Sequence, residues 1–126
     1  MDVTVADRVE CGAAIVSLAG QLDVDSAPTL QSVLADLMAR PVNRIVVDLG
    51  RLTFCDSIGL SAFVVAHRSC TAAGGYLRLA APAPLLLQIL TVVGLLAELP
   101  VYATVSDACA GDSGRLHRPP TQWIDR

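Results

Sequence analysis

The sequence contains no lysine: all nine basic residues are arginine, and the formal net charge is −3. Arg8, Arg40, Arg44, Arg51, Arg68 and Arg78 stand singly along the chain. A nucleic-acid footprint needs a basic stripe or patch, and isolated arginines on an acidic chain do not supply one. Aromatic residues are equally scarce, 4% against 53% hydrophobic, so the core has to be built from Leu, Val, Ile and Ala. Charged residues make up 17%, below the roughly 25% usual for soluble domains. A surface so poor in charge leaves apolar patches of the kind that mark partner sites.

Metal, redox and catalytic signals are missing too. Cys11, Cys55, Cys70 and Cys109 lie far apart with no C-x-x-C pair, and neither His67 nor His117 has ligand-like spacing to a cysteine. A structural zinc site is therefore not expected; reduced cysteines in a cytoplasmic protein are. Asp2, Asp7, Arg8 and Glu10 interrupt any early apolar run, so no signal peptide is expected. The greasiest stretch, LLLQILTVVGLLA at 85–97, falls short of the about 20 residues that span a bilayer. There is no Walker-type loop and no G-x-S-x-G elbow. Asp23, Asp25, Asp48 and Asp56 read as caps and turn formers rather than as a cation site. No catalytic residue, metal or cofactor is expected.

What is present has a regular order. A chain of 126 residues favours one domain. Extended candidates at Val3–Arg8 and Ala13–Ala19 flank a Cys11-Gly12 turn and read as a hairpin. Asp25-Ser26-Ala27-Pro28 opens a helix in which Leu30, Val33, Leu34, Leu37 and Met38 recur at helical spacing up to Arg40-Pro41. Arg44–Leu49 carries the continuous run Ile45-Val46-Val47, suited to a central strand covered on both faces. Gly50–Phe54 reads as a turn. A second helix follows from Asp56-Ser57 to about Ala73, closed by Gly74-Gly75. Tyr76–Ala80 alternates as a strand, a third helix runs from Pro84 to about Ala97, and Leu99–Ala103 forms a short last strand. A brief helix capped by Thr104 or Ser106 ends the folded part near Ala110. The tail 111–126, rich in Gly, Pro and Arg, reads as flexible, with Trp123 an incidental residue in it. Hairpin strands followed by alternating strands and helices imply an α/β fold. Its mixed sheet has four to five strands, with about four helices packed mainly on one face.

The segment IVVDLGRLTFCDSIGL, 45–60, places Ser57 at the first turn of the second helix. A helix start has unpaired N–H groups and partial positive charge, so a phosphate on Ser57 would leave the fold intact. The same helix is apolar nearly all round through Ile58, Leu60, Ala62, Phe63, Val64, Val65 and Ala66, wider than a core stripe. One side meets the sheet and the rest is left for a partner or a neighbouring helix. From these residues alone, Asp56 or Ser57 acting only as a cap is the competing account. His67 and Arg68 are expected on the solvated edge of the helix.

From Val3 to about Ala110 the chain resembles the STAS family, in particular the bacterial anti-sigma factor antagonists. Gly20-Gln21-Leu22-Asp23 resembles the family's G-x-L-D turn. Asp48-Leu49, Leu52, Phe54 and Asp56-Ser57-Ile58-Gly59-Leu60 resemble its D-L-x-x-L-x-F-x-D-S-x-G-L signature. Arg78–Pro84 with Ile89, Leu90, Gly94 and Leu95 is similar to its strand and x-G-L helix. Gly50, Cys55 and Ile58 depart from the residues common in the family.

The resemblance implies a STAS domain over residues 1–110, with Ser57 as the residue phosphorylated by an anti-sigma factor that is also a serine kinase. In the implied cycle the unphosphorylated protein binds the anti-sigma factor and frees the sigma factor. Phosphate on Ser57 ends that binding until a PP2C-type phosphatase removes it. The implied contact set is Asp23, Asp56, Ser57, Ile58, Gly59, Leu60, Ser61, Phe63 and Val64. A homodimer through apolar helices is compatible with the sequence. The alternative implied role is a STAS adaptor subunit of a stressosome-like or lipid-transport assembly, without phospho-regulation.

Overall fold

The computed structural model describes residues 1–8, 11–40, 43–111 and 116–117. Strands β1 (Asp2–Arg8) and β2 (Ala13–Leu22) lead into helix α1 (Ala27–Met38), then β3 (Arg44–Cys55) and α2 (Ser57–Ala72). The chain continues through β4 (Tyr76–Ala80), α3 (Pro84–Val92), a single 3₁₀ turn (Leu95–Ala97), β5 (Val101–Tyr102) and α4 (Val105–Ala110). The sheet order is β1-β2-β3-β4-β5. β1 runs antiparallel to β2, and the remaining pairs are parallel.

β3 occupies the middle of the sheet because it can be buried on both sides. Ile45 and Val47 face the larger core with Val16, Leu18, Leu77 and Leu79, under Leu30 and Leu34 of α1, Phe63 of α2 and Leu90 of α3. Val46 faces a smaller core with Ile15, Ala80, Tyr102 and Ala108 of α4. Three helices thus cover one face and α4 the other. Arg78 holds α4 in place: its guanidinium lies 3.6 Å over the Tyr76 ring and donates to the Ala108 carbonyl at 2.9 Å. Between α2 and β4, the N–H of Gly75 returns to the Cys70 carbonyl at 2.8 Å. A Cβ on Gly75 would lie 2.0 Å from the Asn43 carbonyl oxygen, so only glycine lets β4 enter beside β3.

Several boundaries differ from those expected, the end of β2 among them, which runs on to Leu22 rather than Ala19. Gly50–Phe54, read as a turn, belongs to β3, because Arg51–Cys55 continue to pair with Ala19–Leu22 through two irregular registers. Leu52 and Cys55 are buried there, and that burial outweighs the local turn signal of Gly50. α3 stops at Val92 rather than near Ala97, since Gly94 takes a left-handed conformation (φ 80°) that ends the helix. β5 is shorter than Leu99–Ala103, with Pro100 just before it. In the segment read as a tail, Leu116 bridges Tyr102 in antiparallel sense and the His117 N–H donates to the Val101 carbonyl at 2.8 Å. Residues 112–115 and 118–126, Trp123 among them, lie outside the described residues. No helix is long and apolar enough to cross a membrane among those described.

Candidate functional site

The finishing ends of β2 and β3 lie side by side, Leu22 paired with Cys55. The N–H of Asp56 donates to the Leu22 carbonyl at 3.1 Å. The turn after β2 and the helix after β3 therefore leave the sheet from neighbouring points, which brings the Asp23 turn and the Ser57 helix start to one end of the molecule. Asp23 is occupied in shaping its own turn: its Oδ1 accepts from the N–H groups of Asp25 at 3.0 Å and Ser26 at 3.1 Å. Ser26 Oγ accepts from the Asp23 N–H and donates to the Gln21 carbonyl, each at 2.9 Å. Ser26 thus spends its hydroxyl on the turn and makes no side-chain cap for α1.

Asp56 caps α2. Its backbone is extended (φ −91°, ψ −177°), its Oδ1 accepts the Gly59 N–H at 3.0 Å, and its carbonyl accepts the Leu60 N–H at 3.0 Å. A helix start has several donors without intrahelical partners; Asp56 donates to Leu22 and Gly59 to the cap. The N–H groups of Ser57 and Ile58 have no partner among the described residues. Ser57 itself is exposed. Its hydroxyl stands beside two open donors, where a helix favours negative charge.

Gly59 explains how α2 gets so close to the sheet. A Cβ there would lie 2.6 Å from Leu22 Cγ and 2.9 Å from Cys55 Sγ, inside any real contact. Cys55 is buried, and its Sγ–H donates to the Asp56 carbonyl at 3.6 Å. Burial, helped by the Asp56 carboxylate, pushes its thiol up to about 12. It is a packed, protonated group rather than a nucleophile.

The expected contact residues divide by side of the helix. Gly59, Leu60 and Phe63 are buried, Phe63 completely, and pack α2 against the rest of the fold, Leu60 also lining the groove toward the end of α3. Ser57, Ile58 and Ser61 are exposed and Val64 is half-buried. Val65, outside the expected set, is 62% exposed and continues the stripe begun by Ile58, 42% exposed. This stripe borders two apolar grooves. One, of about 360 Å³, lies between α1 and α2 and includes Leu34, Met38, Ile58 and Val65. The other, of about 410 Å³, runs between α2 and the end of α3 and includes Ser57, Val64, Arg68 and Val93. The all-round hydrophobicity of α2 signalled this surface, whereas Val93, just past the end of α3, is marked by no sequence motif.

The remaining polar candidates sit apart. Arg68 is exposed and pairs with Glu98. His67, expected on the solvated edge, turns partly inward with Nδ1 buried and without a hydrogen bond. It lies ten residues beyond Ser57, about 15 Å along the helix axis, out of reach as a base for that hydroxyl. Thr53 Oγ1 donates to the Gly20 carbonyl at 2.9 Å, so that hydroxyl is occupied. No group of three or more metal-ligating side chains gathers among the described residues.

The STAS domain family model matches residues 1–108, and the chain belongs to that family. Several solved structures share the fold. An anti-sigma factor antagonist from Mycobacterium paratuberculosis is 26% identical, with 87% of this chain and 92% of that one covered and a TM-score of 0.76. The anti-sigma factor antagonist SpoIIAA in its unphosphorylated form is 22% identical, covering 88% and 98%, with a TM-score of 0.70. A sulfate transporter family protein from Wolinella succinogenes is 22% identical, covering 83% and 92%, with a TM-score of 0.68. No curated protein matches the chain by sequence.

Proposed function

We propose that the chain is an anti-sigma factor antagonist that binds an anti-sigma factor through the exposed side of α2 and is switched off by phosphate on Ser57. The observation that carries this reading is the exposed Ser57 hydroxyl, set beside two open helix donors and at the edge of an apolar surface formed by Ile58, Val65 and Val93. Unmodified, that surface is mainly apolar, with Arg68 at its edge, and suits an apolar partner. Phosphate brings a charge of about −1.5 to −2 to an end of the molecule that already carries Asp23, Asp25 and Asp56. The arginine in the same groove, Arg68, is paired with Glu98. Burying an uncompensated charge of that size in an interface costs several kcal/mol, and every 1.4 kcal/mol is about tenfold in affinity.

On this reading the partner is an anti-sigma factor with serine-kinase activity, a PP2C-type phosphatase resets the switch, and the cycle runs in the cytoplasm. The chain contributes binding and no catalysis. The mutational test is affinity for host anti-sigma kinases: Ser57→Ala should bind as the unmodified protein does, and Ser57→Asp at least tenfold more weakly.

A second reading is an adaptor subunit of a membrane-associated complex. It draws support from the exposed apolar side of α3, with Leu85 65% and Val92 68% exposed, and from the fold shared with the sulfate transporter family protein. In that case Ser57→Ala and Ser57→Asp bind alike, and a charge at Val92 disrupts the complex.

A further inference from the structure

Beyond the Ser57 surface the sheet has a second open place. β3 pairs with β2 as far as Cys55, but with β4 only as far as Asp48 opposite Ala80. Past that point the chain turns at Ala81, whose φ of 55° is left-handed, and leaves the sheet toward α3. The stretch of β3 from Gly50 to Cys55 therefore has a side on which no strand lies among the described residues. A slot of about 290 Å³ runs along it, walled on the far side by Ala83, Leu85, Leu86 and Ile89 of the α3 start. Phe54, 51% exposed, and Leu85 stand at its mouth.

The charge in the slot is of one sign. Arg51 is the charged residue of its lining, and it is exposed without an ion pair among the described residues. The N-terminus of α3 opens on the same wall, with Ala83 at the N-cap, no side-chain cap and no acidic residue in the first turn. Two carboxylates lie at its ends without lining it: Asp48 accepts the N–H of Gly50 at the slot's start at 3.0 Å, and Asp56, past Cys55, caps Gly59. Leu116–His117 runs antiparallel to β5, toward its start, whereas the slot lies beyond the finishing end of β4.

We propose that this slot receives an extended peptide segment of a partner protein, which adds as a strand to the free side of β3 and bears a carboxylate opposite Arg51. Strand addition supplies main-chain hydrogen bonds, and alternate side chains fill the pockets. Here the apolar wall of Leu85, Leu86 and Ile89 takes alternate apolar side chains, and Arg51 takes the negative one that alternates with them. The site does not use the Ser57 hydroxyl, so it stands or falls separately from the switch.

The test is an NMR titration of the full, isotope-labelled chain with the capped hexapeptide acetyl-TVEVTL-amide. Saturable amide shifts concentrated at Arg51–Cys55 and Leu85–Leu86 are expected. Arg51→Glu, and replacement of the peptide's glutamate by lysine, should each weaken binding at least tenfold. Proline at the peptide's central valine should abolish it, and Ser57→Ala should leave it unchanged. Shifts centred on the α1–α2 groove, no saturable shift at all, indifference to Arg51→Glu, or loss on Ser57→Ala would each overturn the proposal.

Discussion

Asp56, Gly59 and Cys55 carry the junction between β3 and α2, each by a different physical means. Asp56 satisfies the Gly59 N–H, and loss of an N-cap costs about 1 kcal/mol, range about 0.5–2. Asp56→Ala should lower unfolding free energy by that amount in urea, with Asp56→Asn recovering most of it. Gly59→Ala would place a Cβ against Leu22 and Cys55. Overpacking of this kind costs about 1–3 kcal/mol, and the gain of about 1 kcal/mol in helix propensity does not offset it fully, so a lower melting temperature is expected. Cys55 makes the same junction sensitive to alkali. Its thiol is raised from 9.0 to about 12, first by burial and then by Asp56. A raised folded-state value contributes stability that is complete below pH 9 and is lost as pH climbs toward 12. The urea midpoint should therefore fall across that window, and Cys55→Ala should reduce the fall.

α2 has to satisfy the sheet and remain open to a partner. Phe63 has no exposed surface and Val65 is largely exposed, although both are apolar and two positions apart. The two substitutions should separate cleanly. Phe63→Ala costs about 3–5 kcal/mol of stability with no direct effect on contact. Val65→Glu should leave the melting temperature within about 2 °C, since exposed substitutions change stability by about 0.5 kcal/mol or less, and should weaken anti-sigma factor binding at least tenfold. Calorimetry and titration on the same two variants check this. The sequence pattern announced an apolar helix but not its division into sides, because its apolar residues run nearly all the way round. The span of α2 was legible from Asp56 at one end and Gly74-Gly75 at the other. The length of β3 was not, since Arg51–Cys55 owe their strand to pairing with β2 rather than to any local alternation.

At the scale of the molecule, the order of elements could be read from periodicity, and the central place of β3 from Ile45-Val46-Val47. The faces were legible only in outline. Helix α4 on the second face depends on Arg78 reaching the Ala108 carbonyl, a contact between residues 30 apart that no spacing rule reveals. The junction of the Asp23 turn and the Ser57 helix is likewise a product of the parallel pairing of β2 and β3. The signature residues showed which side chains to watch, while Gly59 and Val65 took their meanings, close approach and exposed stripe, from packing alone.

The central claim is that phosphate on Ser57 ends partner binding while leaving the fold intact. It is tested most directly by exposing the protein to a host anti-sigma kinase and ATP, mapping the modified residue by mass spectrometry, and titrating both forms against that kinase. One phosphate, on Ser57, an unchanged circular dichroism spectrum, and at least a tenfold loss of affinity are expected. Phosphate elsewhere, or equal affinity of the two forms, would contradict it.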